Sequence, residues 1–479
     1  LHNGHAYHYA EAKRLSGADA VIAVMSGPFV QRGEPAVVGK WARAEMALAM
    51  GCDLVIELPV AFAAQPAEWF AYGAVSALEA TGVTDTLVFG SESGDLGRLE
   101  RLAERLYEEP EEFRDLLRTQ LIRGISYPAA YAAATAAYAA NSGGGGGGSG
   151  DSSGSGEGEG CNGDGQGDGS HRRDGHNSDS GKGESRSRSG VFGGRSGDSG
   201  GGEGLVVQPN DILGLHYCLA LRRLHSRITP LVITRQGAGY HQRDADAGGF
   251  ASATAIRRLL ISGGSGTQAA GGAAAADMSR RAAGLDAARP YMPAFAAAIL
   301  EREWLAGRGP IDWERFAAPL IHTIISRTPE ELAGYFEVTE GLEHRLKGTL
   351  PKLDYEEGAL VSQLLTALKT KRYTAAKLQR TLLRILLNHS KADLSRDVLS
   401  QGVPYLRILG FSAKGQQLLK QMKTTAKVPV VIKATRESSP LLELDIRAAA
   451  LYALSHPVQE SRELYRDYYQ SPLQAHAAE

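Results

Sequence analysis

The chain has 479 residues, 43% of them hydrophobic and 22% charged, with a formal net charge of −2. That length exceeds what one hydrophobic core normally serves, and that charge excludes a global pull toward nucleic acid or an anionic membrane, so a polyanionic partner must meet a local patch. Cys52, Cys161 and Cys218 stand far apart, which excludes a disulfide framework or thiolate zinc site and fits a reducing cytoplasm.

The chain opens on "LHNGHAYHYAEAKR", a His-x-Gly-His run leading into a helical stretch. His2, His5 and His8 repeat every three residues, but three helical residues turn the direction by about 300°, so the outer two point roughly 120° apart and do not share one ion. Zinc is therefore not expected, and no other metal site is predicted. Gly4 instead leaves room for phosphate, and His5 at a helix N-terminus is suited to donate to oxygens that gain charge in nucleotidyl transfer. The alternative at this point is ordinary capping histidines.

Four near-continuous apolar runs follow, "DAVIAVM" (19–25), "DLVIELP" (53–59), "DTLVFGS" (85–91) and "PLVITRQ" (230–236), with amphipathic helical stretches between them. This alternation predicts a doubly wound parallel α/β sheet, whose ligands bind at the carboxyl ends of the strands. The loop "PFVQRGEPAVVGKWAR" carries Arg32, Lys40 and Arg43, second-tier candidates for contact with an activated substrate or RNA phosphate. Residues 141–204 are Gly/Ser-rich and are expected to form a disordered insertion.

Near the end of this first domain, "FASATAIRRLL" places Ser252 and Thr254 at a helix start and Arg257 and Arg258 in its first turn. Cations there are disfavoured unless an anion sits between them, so Ser252, Thr254 and Arg257 are read as phosphate-binding. A linker is expected over 263–283, which bounds a nucleotide-binding domain at 1–262 and a separate, mostly helical domain at 284–479 with one short β-like run, "VPVVIKAT". In that second domain Lys371, Arg372, Lys377, Arg380 and Arg384 form the main basic cluster. Lys377, Arg380 and Arg384 fall at i, i+3, i+7 and are expected to share a face along an RNA backbone, with Tyr373 stacking on a base.

The motifs "HNGHAYH", "AVMSGPFVQRGEPAVVGKWARAEMAL", "DLVIELP", "FGSE", "PNDILGLHY", "TRQGAGYH", "SATAIR", "KRYTAAKLQR", "YLRILGF" and "YRDYYQSPL" occur in this order. In order and wording they resemble the tRNA(Met) cytidine acetate ligase family of the H-x-G-H nucleotidylyltransferase superfamily. The resemblance implies an enzyme that uses ATP and acetate to form acetyl-adenylate. It then passes the acetyl group to the wobble cytidine of elongator tRNA(Met), giving N(4)-acetylcytidine in the cytoplasm. Mg2+ is expected to accompany ATP, and neither a membrane nor a protein partner is implied. By the same resemblance His2 and His5 are catalytic, and Asn3, Gly4, Tyr7, His8, Gly90, Asn210 and Arg235 bind ATP. In the family a strand and a tight turn precede the first motif; they do not stand ahead of Leu1, so the sheet is expected to lack that strand. A small-molecule adenylyltransferase of the same superfamily, or an RNA-binding pseudoenzyme, is the competing reading.

Overall fold

Each apolar run expected to be a strand becomes one, because β-branched and aliphatic side chains bounded by Gly, Pro and Asp favour a pleated, buried segment. In a computed structural model, which describes residues 1–141, 208–235, 250–262, 273–435 and 439–475, β1 spans Ile22–Ser26 and β2 Leu54–Leu58. Further on come β3 (Thr86–Ser91) and β4 (Thr229–Thr234). Helix α1 (Asn3–Ser16) precedes β1, and α2 (Lys40–Met50) joins β1 to β2. β1 pairs parallel with β2, Ile22 opposite Leu54, and β3 pairs parallel with β4, Thr86 opposite Thr229. The parallel α/β class predicted from the sequence is thus the observed class, with helical crossovers on its strands.

Two features depart from the expectation. The four strands form two sheets rather than one, since β1 and β3 do not pair with each other and a cleft runs between them. The second departure concerns the boundary near 263–283. β5 (Leu406–Phe411) lies antiparallel to β2 with a register shift at Val55/Ile56, and β6 (Val430–Val431) and β7 (Leu473–Gln474) pair parallel with β5. Residues 284–479 therefore do not stand apart as a helical domain; they complete the sheet begun by β1 and β2. The described residues within 1–139 and 208–475 fall in one compact unit, and one apolar cluster runs from Leu54 and Phe89 through Leu320 and Leu382 to Leu406 and Leu442.

The expected linker is also shorter than predicted, because a helix spans Ala273–Ala288. The Gly/Ser-rich insertion from 142 to 204 and the "GAGYH" part of the motif at 237–241 lie outside the described residues. No helix among the described residues is long and apolar enough to cross a membrane.

Candidate active site

The start of α1 is capped by histidines in place of the usual hydroxyl and carboxylate. His2 is the N-cap, and its Nδ1 accepts from the Gly4 N–H at 3.1 Å, while His5 Nδ1 accepts from the His2 N–H at 3.3 Å. This is a reciprocal capping box, and it consumes one nitrogen on each ring. A neutral imidazole with Nδ1 accepting carries its proton on Nε2, so His2 and His5 each keep one N–H donor. Burial, then nearby positive charge including Arg235, pushes the His2 pKa down to about 4. His5, exposed to the cleft yet ringed by protein, is held well below its ordinary value by desolvation and by the like charges of His2, His8 and Arg235. His8 is lowered by the same two causes, burial and Arg235.

The glycine in this motif has a local steric reason: a Cβ on Gly4 would come within 2.9 Å of His2 Cε1. Asn3 donates through Nδ2 to Pro290 O at 3.0 Å, and Tyr7 meets the Phe250 ring edge-on at 6.2 Å.

Across from α1, β3 and β4 deliver Gly90 and Arg235 to the same end of the cleft. The Arg235 N–H donates to Ser91 O at 2.9 Å, extending the ladder past β4, and Gly90 lies so that a Cβ would sit 3.5 Å from Arg235 Cγ. Asn210 lies in the first turn of the Pro209–Arg223 helix and is not its cap. Its Nδ2 donates to Glu92 at 2.6 Å, and Glu92 also accepts from the backbone N–H groups of Asn210 and Asp211 at 3.2 and 2.9 Å. The negative charge at this helix start is thus a carboxylate of the protein. Glu92 and the buried Asp211, which accepts from Ser91, fix the β3 end, and the sequence reading gave neither a role.

The Ala253–Ser262 helix bears on the arginine argument directly. Ser252 caps it, its Oγ accepting from the Ala255 N–H at 3.1 Å, and Thr254 Oγ1 accepts from Arg32 at 3.4 Å. Arg257 donates to Pro35 O at 2.7 Å and lies 3.5 Å from the Glu34 carboxylate. Glu34 supplies the anion that was expected from phosphate, so Arg257 primarily anchors the 27–39 loop.

One second-tier candidate is corrected outright, and a second is held by the scaffold. Lys40 is buried between Glu57 at 2.8 Å and Asp467 at 2.8 Å, so it cannot reach a substrate. Arg43 donates to the carbonyls of Val38 at 3.1 Å, Ser26 at 3.0 Å and Gly27, which fastens the loop to the end of β1, and burial lowers its pKa to about 10. Arg32 keeps access to the cleft.

A cleft of ≈ 2320 Å³ brings together His2, Gly4, His5, Tyr7 and His8 with Gly90, Asn210 and Arg235. Ser252, Thr254, Arg257, Arg32 and Arg43 line it as well, whereas Asn3 and Lys40 do not. Neutral N–H donors and a guanidinium facing one space are the groups that stabilise charge developing on a phosphoryl oxygen.

A family model described as HIGH Nucleotidyl Transferase matches residues 1–467. The tRNA(Met) cytidine acetate ligase of Acetivibrio thermocellus is 34% identical over 98% of this chain and 96% of that protein. The chain belongs to the tRNA(Met) cytidine acetate ligase family. The Listeria monocytogenes serotype 4a protein of the same name is 34% identical over 95% of this chain and 92% of its own length. A solved structure of Thermotoga maritima TmcAL bound with alpha-thio ATP is similar with a TM-score of 0.75 and 30% identity, over 99% of this chain and 97% of that one. The family is one of enzymes, with ligase activity in the relatives' names.

The basic cluster expected to grip tRNA in a member of this ligase family is arranged differently from the prediction. On the Ala375–Leu387 helix Arg384 is wholly buried, bonded to Ala64 O and to His389 Nδ1 at 3.1 Å, so it does not share a solvent face with Lys377. Arg380 pairs with Glu337 at 3.1 Å and lines the cleft, and Arg372 pairs with Glu340 at an exposed site. Tyr373 is buried with its hydroxyl on Glu340 at 2.8 Å, which rules out base stacking there. Lys371 remains exposed, and Lys377 lies 6.0 Å from the Tyr373 ring.

Proposed function

We propose that this chain activates acetate with ATP as acetyl-adenylate and transfers the acetyl group to the N4 amine of the wobble cytidine of elongator tRNA(Met). The observation that carries the reading is the histidine capping box: two neutral rings, each with an Nε2–H that donates to no described residue, beside Arg235 in one cleft. In adenylation an acetate oxygen attacks the α-phosphorus and pyrophosphate leaves, while charge builds on the non-bridging oxygens. His2 and His5 donate to those oxygens and Arg235 supplies fixed positive charge, so catalysis rests on preorganised donors rather than a covalent nucleophile. Mg2+ arrives with the triphosphate. In the second step the cytidine amine attacks the activated carbonyl and AMP departs; ATP and tRNA place the reaction in the cytoplasm.

The test is acetate-dependent release of pyrophosphate by the purified chain, followed by mass analysis of tRNA(Met) for N(4)-acetylcytidine. Pyrophosphate release that ignores acetate would favour a small-molecule adenylyltransferase. Failure to bind ATP would favour an RNA-binding pseudoenzyme.

A further inference from the structure

The cleft contains a second charged feature that adenylation does not use. Glu337 and Arg380 pair through Arg380 Nε at 3.1 and 3.3 Å, with side chains only 9% and 11% exposed, and both line the cleft that holds His2 and His5. Arg380 Nη1 and Nη2 donate to no other described residue. Glu337 has a backbone φ of 64°, a left-handed conformation that costs a non-glycine residue of order 1 kcal/mol and persists only where its surroundings impose it.

Those surroundings are specific. The Phe336 N–H donates to His389 O at 3.0 Å, Tyr335 and Ser390 form an antiparallel bridge, and Thr381 Oγ1 donates to Glu337 O at 3.4 Å. From the other side Gly33 approaches so closely that a Cβ would come within 2.5 Å of the Arg380 backbone nitrogen. Gln379 reaches Glu34, whose other partner is Arg257, at 3.3 Å. The pair is therefore fixed at the seam between the 27–39 loop and the Ala375–Leu387 helix. Phe336, next in the chain, also lines the cleft.

We propose that Glu337 and Arg380 form the acceptor-base site and read the Watson–Crick edge of cytosine, an inference that rests on the ligase reading above. Cytosine presents an amine donor at N4 beside acceptors at N3 and O2. A carboxylate next to a guanidinium presents the complement, an acceptor beside free N–H donors. In the pose that sets the exocyclic group at C4 of a pyrimidine or C6 of a purine against Glu337, uracil and guanine present a carbonyl oxygen there and adenine lacks the O2 acceptor, so in that pose the pair selects cytosine by repulsion as well as attraction. Phe336 offers a ring face for the extruded base. In transfer the N4 lone pair attacks the acetyl carbonyl carbon and a C–N bond forms. The C–O bond to phosphate breaks, AMP leaves as the anion, and the N4 proton passes to the Glu337 carboxylate.

The experiment separates the two nucleophiles. With ATP and acetate, the full chain and its Glu337→Gln variant are each given tRNA(Met) or hydroxylamine, which traps acetyl-adenylate as the hydroxamate. Glu337→Gln is expected to slow tRNA acetylation by about a hundredfold, the scale of a lost general base, with hydroxamate formation within about twofold of wild type. Glu337→Gly, which relieves the left-handed backbone but leaves the largely buried Arg380 guanidinium without its carboxylate, is expected to melt lower than wild type and to lose transfer while hydroxamate formation persists. Transfer that is unchanged, or that falls only in step with hydroxamate, overturns the proposal and leaves the ligase reading standing. A wild-type chain that gives no acetate-dependent hydroxamate removes both.

Discussion

His5→Ala tests the capping-box mechanism, because the side chain has two separable duties. Its Nδ1 accepts from the His2 N–H at 3.3 Å, a helix-cap interaction whose loss costs about 0.5–2 kcal/mol of stability. Its Nε2–H is the donor assigned to the phosphoryl oxygen, and losing one such donor costs about 10²–10³ in rate, or about 2.7–4 kcal/mol of barrier. The variant is therefore expected to melt slightly lower, bind ATP nearly as well, and release acetate-dependent pyrophosphate at least about a hundredfold more slowly. Initial-rate pyrophosphate release at saturating ATP, with calorimetric ATP binding alongside, measures each part. Equal losses of ATP affinity and turnover would refute a transition-state role. The pH profile adds a second check. Because His2 is held at about 4 and His5 well below its ordinary value, both rings are neutral donors throughout pH 6–8, and neither produces a rate inflection near the usual histidine pKa of about 6.5. An inflection there that disappears in His5→Ala would mean that a protonated histidine acts. For stability, the unfolded His2 takes up its proton as pH falls below about 6.5 and the folded one only near 4, so the chain loses stability across that window on acidification. His216 and His456, also lowered to about 4 chiefly by burial, act in the same sense.

Much of the fold was legible because its strands are uniformly apolar, and what was not legible hides behind buried charge. β2 is buried at every position and reads plainly, although it carries Glu57. β5 reads "LRILGF", with Arg407 breaking the continuous apolar run that marks the other strands, and it lies in the segment expected to be mostly helical. In the structure Arg407 is fully buried, with its guanidinium donating to Ile432 O and, at 3.1 Å, to Asp467 O. Arg384 deceived in the same way: helical spacing placed it with Lys377 and Arg380, yet it points inward to Ala64 and His389. Period alone gives the angular position of a residue and not the partner that lets a charge be buried. At the site the His2, Gly4 and His5 run was legible from a short motif because sterics and helix ends act locally, whereas Gly90 and Arg235 came only with the family resemblance. Glu34, Glu92 and Glu337 were not legible, since each is defined by a partner distant in sequence: Glu92 lies 118 positions from Asn210, and Glu337 43 from Arg380.

Three further outcomes are expected. Lys371→Glu with Lys377→Glu should weaken tRNA binding and flatten its salt dependence while leaving pyrophosphate release intact, whereas Arg384→Met should lower the melting temperature and spare the salt slope; salt-titrated binding and melting curves distinguish the two. Replacing residues 142–204 by a short Gly/Ser loop should change stability little, because loop-closure entropy grows only slowly with length, and a melting shift beyond a few degrees would contradict this. The last concerns Lys40, whose ammonium lies between two buried carboxylates, Glu57 and Asp467, both at 2.8 Å. Lys40→Met leaves those carboxylates facing each other, with Arg407 at 3.5 Å from Asp467 as their remaining ion-pair partner among the described residues, and breaking a buried pair this way costs about 3–5 kcal/mol. Burial already raises the Glu57 pKa, and removing Lys40 raises it further, so the folded variant binds protons more tightly than its unfolded chain. The deficit against wild type should therefore be largest at neutral pH and above, and shrink as pH falls toward the ordinary carboxylate range. Urea denaturation at pH 8 and at pH 5 measures both values. A variant that keeps wild-type stability but loses acetyl transfer would place Lys40 in contact with substrate after all, and the buried ion triad would not be what joins β2 to the C-terminal segment.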